Sequence, residues 1–331
     1  MSGPVEPAAV SHGSPPVVLR VPGSGARAEI LPARGCTCVS AVLEGPLGPR
    51  DVLWAPEGFV AGAGRPSAGG IPILCPFPGR LASTTVSFAG RDFTLAAGDG
   101  QGRPIHGLVH DRPWRVVQRS EDRLVARFRL AVDAPAALDT WPADFELTAA
   151  WTLSRARLDL ELDLLPLGAM PAALGLHPYH PLPVVPGADP AACELELPAT
   201  LWQPQERLLP VGEPRPVAGF GGSTGPRLAF PGRTRLGGMT LDDPFTGLIG
   251  DASAEGGVVA RLVDPASGAG IEARWDAVFA ACVLFTPPHR RAVCIEPCTV
   301  LPGQAGFPEQ SGWKVLGAGE HLRARYSVSA V

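Results

Sequence analysis

The stretch FELTAAWTLSRARLDLELDLL, residues 145–165, decides the fold. Phe145, Leu147, Ala149, Trp151 and Leu153 recur at every second position. After Ser154 and Arg155 the phase shifts, so that Ala156, Leu158, Leu160, Leu162 and Leu164 alternate with Arg157, Asp159, Glu161 and Asp163. Side chains on a strand point to opposite faces in turn, so period two describes a half-buried strand, and the change of phase across a short polar break describes a tight turn into a second one. Upstream, LVARFRL repeats the pattern, with Leu124, Ala126, Phe128 and Leu130 set against Arg127 and Arg129.

The same reading predicts strands over Val17 to Val21, Cys38 to Leu43, Gly257 to Val263, Ile271 to Trp275, Val278 to Phe285, Ala292 to Ile295 and Leu322 to Val328. No segment sustains helical periodicity over three turns. Many short strands separated by Gly and Pro predict an all-β, large antiparallel β-sandwich. The 40 glycines and 38 prolines are offset by 45% hydrophobic residues, which indicates a turn-rich globular chain rather than a low-complexity one. A single domain over residues 1–331 is expected, with residues 1–15 flexible.

Composition narrows the function. The net charge of −4 gives no footprint for nucleic acid or an anionic membrane surface. Lys314 is the sole lysine, so Schiff-base chemistry would fall to it alone. The start lacks the basic and apolar regions of a secretion signal and no segment reaches the length of a membrane span, which predicts a cytoplasmic protein. The seven cysteines are odd in number and without framework spacing, which predicts reduced thiols. Cys36 and Cys38 form a C-x-C, explained equally by two residues on one strand face. No phosphate-cradling glycine motif and no H-E-x-x-H is present.

Three stretches carry candidate chemistry: PIHGLVH around His106, LGLHPYH around His177 and CIEPCT around Glu296. An imidazole exchanges protons near neutrality, and a carboxylate complements it as a base. His106 and His110 have the spacing of a helical metal pair, but Pro104, Gly107 and Pro113 argue against a helix. His177 and His180 straddle Pro178 and would point to different sides of a strand. His12, His289 and His321 read as structural or surface residues. Glu296 follows the apolar run Ala292 to Ile295 and precedes Pro297, expected to end regular pairing. A carboxylate at the mouth of a buried strand is either a desolvated base or the partner of an arginine such as Arg80, Arg290 or Arg291. Two Gly- and Pro-rich stretches, Ala55 to Arg80 and Pro181 to Pro190, are the loops where a site is expected.

Five segments in order, GGIPILCPFPGR, PIHGLVHDRPW, LGLHPYHPL, LDDPFTG and IEPCT, resemble the successive motifs of the aldose 1-epimerase (mutarotase) family over Gly69 to Thr299. The resemblance implies a galactose mutarotase-like supersandwich with a sugar-binding cleft, a small-molecule sugar substrate, and neither metal nor organic cofactor. It places Glu296 as general base and His177 as general acid in anomer interconversion. His106, Arg80 and Asp242 then hydrogen-bond the sugar, with Asp243 the alternative to Asp242, and Trp54, Phe77 or Phe245 covers an apolar sugar face. Gln304 stands where many relatives carry Asn, and His110 where the hexose-6-phosphate branch has arginine. With Arg103, Arg112 and Arg80 nearby in sequence, a hexose-6-phosphate 1-epimerase is the runner-up, and a non-catalytic carbohydrate-binding protein the third reading. Oligomeric state is not specified by any of these features.

Overall fold

A computed structural model of the chain describes residues 15–220, 228–253, 256–303 and 313–331. His12 and Gln304, like residues 1–14 as a whole, lie outside the described residues. Phe145–Leu153 and Arg157–Pro166 form the antiparallel hairpin read from their alternation, closing with Leu153 opposite Leu158. Around it stands a nine-stranded sheet in the order Arg233–Arg235, Glu194–Glu196, Val258–Val263, Gly270–Trp275, Leu322–Ala330, Arg157–Pro166, Phe145–Leu153, Arg123–Arg129, Arg115–Arg119. Its charged face carries ion pairs such as Arg127–Glu146 at 3.2 Å, while Leu147, Trp151, Leu160 and Leu162 are buried.

An eight-stranded sheet contributes to the same apolar core. Its main path runs Arg215–Pro216, Ala199–Trp202, Asp242–Leu248, Ala281–Phe285, Ala292–Cys298, Gly175–Leu176, Ile73–Leu74, and Tyr179–Pro181 also pairs with Ala292–Cys298. Phe245, Cys282, Leu284, Val293 and Ile295 join Leu147, Leu162, Ala273 and Val328 in one apolar cluster. A four-stranded N-terminal sheet, Val17–Arg20 to Gly48–Asp51, adds Leu19, Ala28, Ile30, Ala41 and Leu43 to that cluster. It is tied to the large sheet by the Trp151 indole, which donates to the Cys36 carbonyl at 3.2 Å, and by Arg50, which donates to the Val331 carbonyl at 2.8 Å.

Among the described residues helix is confined to Leu130–Asp133 and two short 3-10 turns, as the absence of helical periodicity predicted. No helix among the described residues is long and apolar enough to cross a membrane. Most strand limits fall within a residue or two of expectation, and two differ by more. Val278 lies in a turn, and its strand begins at Ala281. The strand after Ala292 does not stop before Pro297 but runs to Cys298, with Pro297 opposite Cys282. The backbone N–H of His177 donates to the Pro72 carbonyl at 3.0 Å, so its segment leaves the ladder beside this stretch, and a residue without an N–H is accommodated there. Cys36 is not a strand residue: it sits before Thr37–Gly45 with a left-handed φ of 54°.

Backbone conformation rather than a helix holds His106 in place. His106 has a φ of 65° and Gly107 one of 77°. The His106 N–H donates to the Gly79 carbonyl at 2.8 Å and the Leu108 N–H to the Cys75 carbonyl at 2.7 Å. A Cβ at Gly107 would collide with the Cys75 carbonyl oxygen. On the other strand face, His180 is fully buried, and its Nδ1 lies 2.9 Å from the Val52 carbonyl. A carbonyl only accepts, so Nδ1 carries the proton.

Two expectations follow from these positions. Gly107→Ala should cost at least ~2 kcal/mol, because a left-handed side-chain residue and a backbone clash add. A urea midpoint unchanged from wild type would contradict the assignment. Burial holds the His180 imidazole down at about 4 against its ordinary 6.5. The unfolded chain therefore binds a proton there that the folded chain does not, and stability rises with pH between those values and is lost as pH falls through them. The contribution is up to ~3 kcal/mol. His180→Asn, which keeps an N–H near the Val52 carbonyl, should lose one proton's worth of the pH slope in urea titrations across that window.

Candidate active site

The eight-stranded sheet has two buried faces along one strand. In Ala292–Cys298 every residue is buried. Val293 and Ile295 enter the core shared with the nine-stranded sheet, whereas Cys294 and Cys298 pack in separate clusters with Tyr179 and with Ala281 and Leu301. Alternation therefore sends Glu296 away from the shared core, with Cys294 and Cys298. Strand register then sets its neighbours. Gly175 pairs with Cys298 and Tyr179 with Cys294, so the same register carries His177 opposite Glu296. Their side chains meet, Nε2 of His177 lying 3.3 Å from Oε1 of Glu296. On the other side Val283 pairs with Glu296, and Phe285 pairs with both Cys294 and Asp242.

These residues floor a cavity of about 510 Å³, within the range of small-molecule sites. Glu296, His177, His106, Arg80 and Asp242 all line it. The five candidates, spread over more than two hundred positions of sequence, are thus brought together. Of the adjacent pair, Asp242 faces the cavity and Asp243 does not line it; the Asp243 carboxylate instead accepts from the Asp242 N–H at 3.1 Å. Asp242 is further fixed through its carbonyl, which accepts from the Gln205 amide at 2.6 Å. Arg80 lies 3.5 Å from the buried Asp99 carboxylate. The His106 ring stands edge-on to His177 at 5.4 Å and to His110 at 5.9 Å. His177 stacks on Tyr179 at 4.8 Å with an interplanar angle of 7°.

Two of the three arginine partners considered for Glu296 are engaged elsewhere. Arg290 donates to the Gly237 and Met239 carbonyls, and Arg291 lies over the Trp54 ring. The aromatic expectations need correction. Phe77 lines the cavity, but Trp54 and Phe245 do not: Phe245 is wholly buried in the shared core and Trp54 packs at a tilt against His289. Phe285 and Tyr179 take the wall positions instead. Of the two loops, the segment ending at Arg80 contributes, whereas Pro181 to Pro190 does not. Leu95 to Gly98, Gln205, Leu208, Pro302 and Gly303 complete the walls, and nothing in their composition marked them. Arg103 is turned to the Arg207 carbonyl and lies outside the cavity lining, while Arg65 and Arg112 are within it.

Burial dominates the proton affinities. It pushes the Glu296 carboxyl well above its ordinary range, with the Asp242 carboxylate adding and Arg80 opposing. It holds the His177 imidazole down at about 3, and His110 and Arg80 press it the same way. His106 is held well below its ordinary value by burial, then by His177, His110 and Arg80. Burial raises Asp242 too, with Arg80 opposing and Asp243 adding. At this buried position the pair therefore rests with one shared proton and no net charge, since burial penalises the ion-pair form. Ligand atoms of His177, Cys294 and Glu296 lie within 4.8 Å of one another, and no other three-residue group of potential metal ligands occurs among the described residues. The seven cysteines are all free and buried.

The sequence profile described as aldose 1-epimerase matches residues 20–329. No curated protein matches the sequence. Among solved structures, a galactose mutarotase-like protein from Clostridium acetobutylicum is 19% identical, with a TM-score of 0.78 and 93% of each chain covered. An aldose epimerase homologue from C. elegans is 19% identical, with a TM-score of 0.75, covering 96% of this chain and 98% of its own. Galactose 1-epimerase from Lactobacillus acidophilus NCFM is 17% identical, with a TM-score of 0.72, covering 96% and 94%. At these identities the structures bear on the fold, and the profile match across nearly the whole described sheet system bears on descent: the chain belongs to the aldose 1-epimerase family.

Proposed function

We propose that this chain interconverts the α and β anomers of a free aldose by general acid/base ring opening and reclosure. The observation that carries the reading is the cross-strand pair His177–Glu296, 3.3 Å apart on the floor of a sugar-sized cavity. Glu296 removes the proton of the anomeric hydroxyl while His177 delivers one to the ring oxygen. The C1–O5 bond breaks as the C1 carbonyl forms. Rotation about C1–C2 and reclosure with the two roles exchanged yield the other anomer. One proton is taken up and one released, which a pair holding a single proton supplies without solvent. Burial favours the resting form with that proton on the carboxyl; its tautomer, with the proton on Nε2, is the reactive form.

Arg80, Asp242 and His106 hold the sugar hydroxyls, and Phe285 and Tyr179 cover apolar ring surface. A single domain over 1–331 and a cytoplasmic location belong to the same reading, the latter supported by seven free thiols. A sugar phosphate is the second reading, favoured by Arg65 and Arg112 in the cavity wall. Polarimetry on freshly dissolved α-D-glucose, α-D-galactose and glucose 6-phosphate, with inorganic phosphate as competitor, separates the two. Sugar binding without turnover would mark a carbohydrate-binding protein instead.

Glu296→Gln should lower kcat ~100-fold or more with the fold retained, as expected for loss of a general base. His177→Asn should lower kcat more than it raises KM, and Asp242→Asn should chiefly raise KM. The reverse pattern would exchange their roles.

The pH profile is a separate test. The pair keeps one proton from the depressed imidazole value of about 3 up to the raised carboxyl value. The acid limb of kcat/KM, after subtraction of the spontaneous rate, should therefore lie well below the ordinary imidazole range, and the alkaline limb above the ordinary carboxylate range. An acid limb at an unshifted imidazole value would count against the shared-proton pair.

A further inference from the structure

Anomer interconversion uses Glu296 and His177 and leaves the thiol beside them without a task. Cys294 precedes Glu296 by two residues, so both side chains leave the same strand face. It is wholly buried, pairs in register with Tyr179 and packs in one cluster with it. One ligand atom each from His177, Cys294 and Glu296 lie within 4.8 Å of one another. The 3.3 Å between His177 Nε2 and Glu296 Oε1 already matches the edge of a tetrahedron with metal–nitrogen and metal–oxygen bonds of ~2.0–2.1 Å. With a metal–sulfur bond of ~2.3 Å the corresponding edges to sulfur are ~3.6 Å, so closing the set needs the thiol to move by no more than about an ångström.

Donor chemistry selects the ion. A thiolate with an imidazole and one carboxylate suits Zn²⁺, Co²⁺ or Cd²⁺, whereas Mg²⁺ and Ca²⁺ require oxygen ligands in greater number. His177 and Glu296 both line the cavity, so the fourth position of such an ion faces the space a sugar would fill. Three protein ligands with one open position is an arrangement in which zinc is stably held.

We infer that His177, Cys294 and Glu296 form a site for a thiophilic divalent cation of the zinc class, and that occupancy switches the acid/base pair off. The switching half rests on the function proposed above. On binding, the proton of the Cys294 thiol and any proton held on the Glu296 carboxyl pass to solvent. The thiolate, the carboxylate and the Nε2 lone pair then each form a bond to the ion, with no change of oxidation state. Neither Glu296 nor His177 can then exchange a proton with a sugar, and ion and sugar compete for one floor.

The test uses the full chain stripped with EDTA, which should keep its activity. Co²⁺ alone is titrated in while the near-ultraviolet sulfur-to-cobalt charge-transfer band is followed, and Zn²⁺ is titrated in parallel polarimetric assays. One band per chain, loss of anomer interconversion over the Zn²⁺ range that displaces cobalt, and recovery with EDTA are expected. Cys294→Ser and Cys294→Ala retain the other six cysteines and should keep the basal rate. Both should lose the band and become ~10–100-fold less sensitive to Zn²⁺, at least the cost of losing a ligand's supporting partner. Absence of the band in the wild-type chain, its persistence in both variants, or activation by Zn²⁺ would overturn the inference. A Cys294-dependent band in a chain that interconverts no sugar supports the cation site and removes the functional reading instead.

Discussion

Everything about the cavity follows from one constraint: a carboxylate stands in the middle of a strand with no exposed residue. An isolated charge in such a place is strongly penalised and is retained only with a partner or a proton. Glu296 has both options, because strand register sets His177 opposite it on one side while Val283 closes the other. His177 lies between two segments bridged to the Glu296 strand, and that register brings the two side chains to contact distance. The pair therefore does not depend on a mobile loop for its geometry. It depends on Gly175–Leu176 and Tyr179–Pro181 both holding register with Ala292–Cys298 while the His177 N–H turns aside to Pro72.

The surrounding charges bias that pair in opposite senses. Asp242 strengthens the hold of Glu296 on a proton, Arg80 weakens it, and Arg80 also disfavours a proton on His177. Arg80 cannot simply neutralise the carboxylates, because it is shared with the buried Asp99. The result is a floor with hydrogen-bonding capacity in excess of its internal partners, which a polyhydroxylated ligand can satisfy. His106 belongs to that arrangement at the expense of a left-handed backbone, a conformation a side-chain residue adopts only when its surroundings over-determine it. The Gly79 carbonyl on its N–H and the tight passage of Gly107 past Cys75 supply that determination.

Where alternation was strong, the sequence was legible. Phe145–Leu153 and its partner hairpin strand could be read because each has one face on the core, with the outward face charged in the second strand. Ala292–Cys298 was only half legible: buried on both faces, it shows no alternation, and Pro297 read as a terminator because pairing on its flanks is invisible in sequence. The candidate residues were found through the order of five motifs, but their meeting is a property of register, which no single segment encodes. Asp242 could not be separated from Asp243 for the same reason, since a one-residue slip exchanges the faces. The wall residues Phe285, Tyr179 and Gln205 gave no signal because apolar and amide side chains on a strand or loop look alike whether they meet a core or a cavity.

The division between the two faces of one sheet explains how so much chemistry is compatible with stability. Val293, Ile295, Leu284 and Phe245 supply cohesion toward the nine-stranded sheet, joined there by the buried Cys282 thiol. Their alternates, Cys294, Glu296 and Asp242, are sequestered under loops on the other face, where polar burial is tolerated because the shared core is already complete. Substitution on one face thus changes proton affinities and ligand chemistry while the other keeps the strands in place. The same separation brings a thiol, a carboxylate and an imidazole together without any of them having to stabilise the fold, and it leaves their chemistry to be set by whatever enters the cavity.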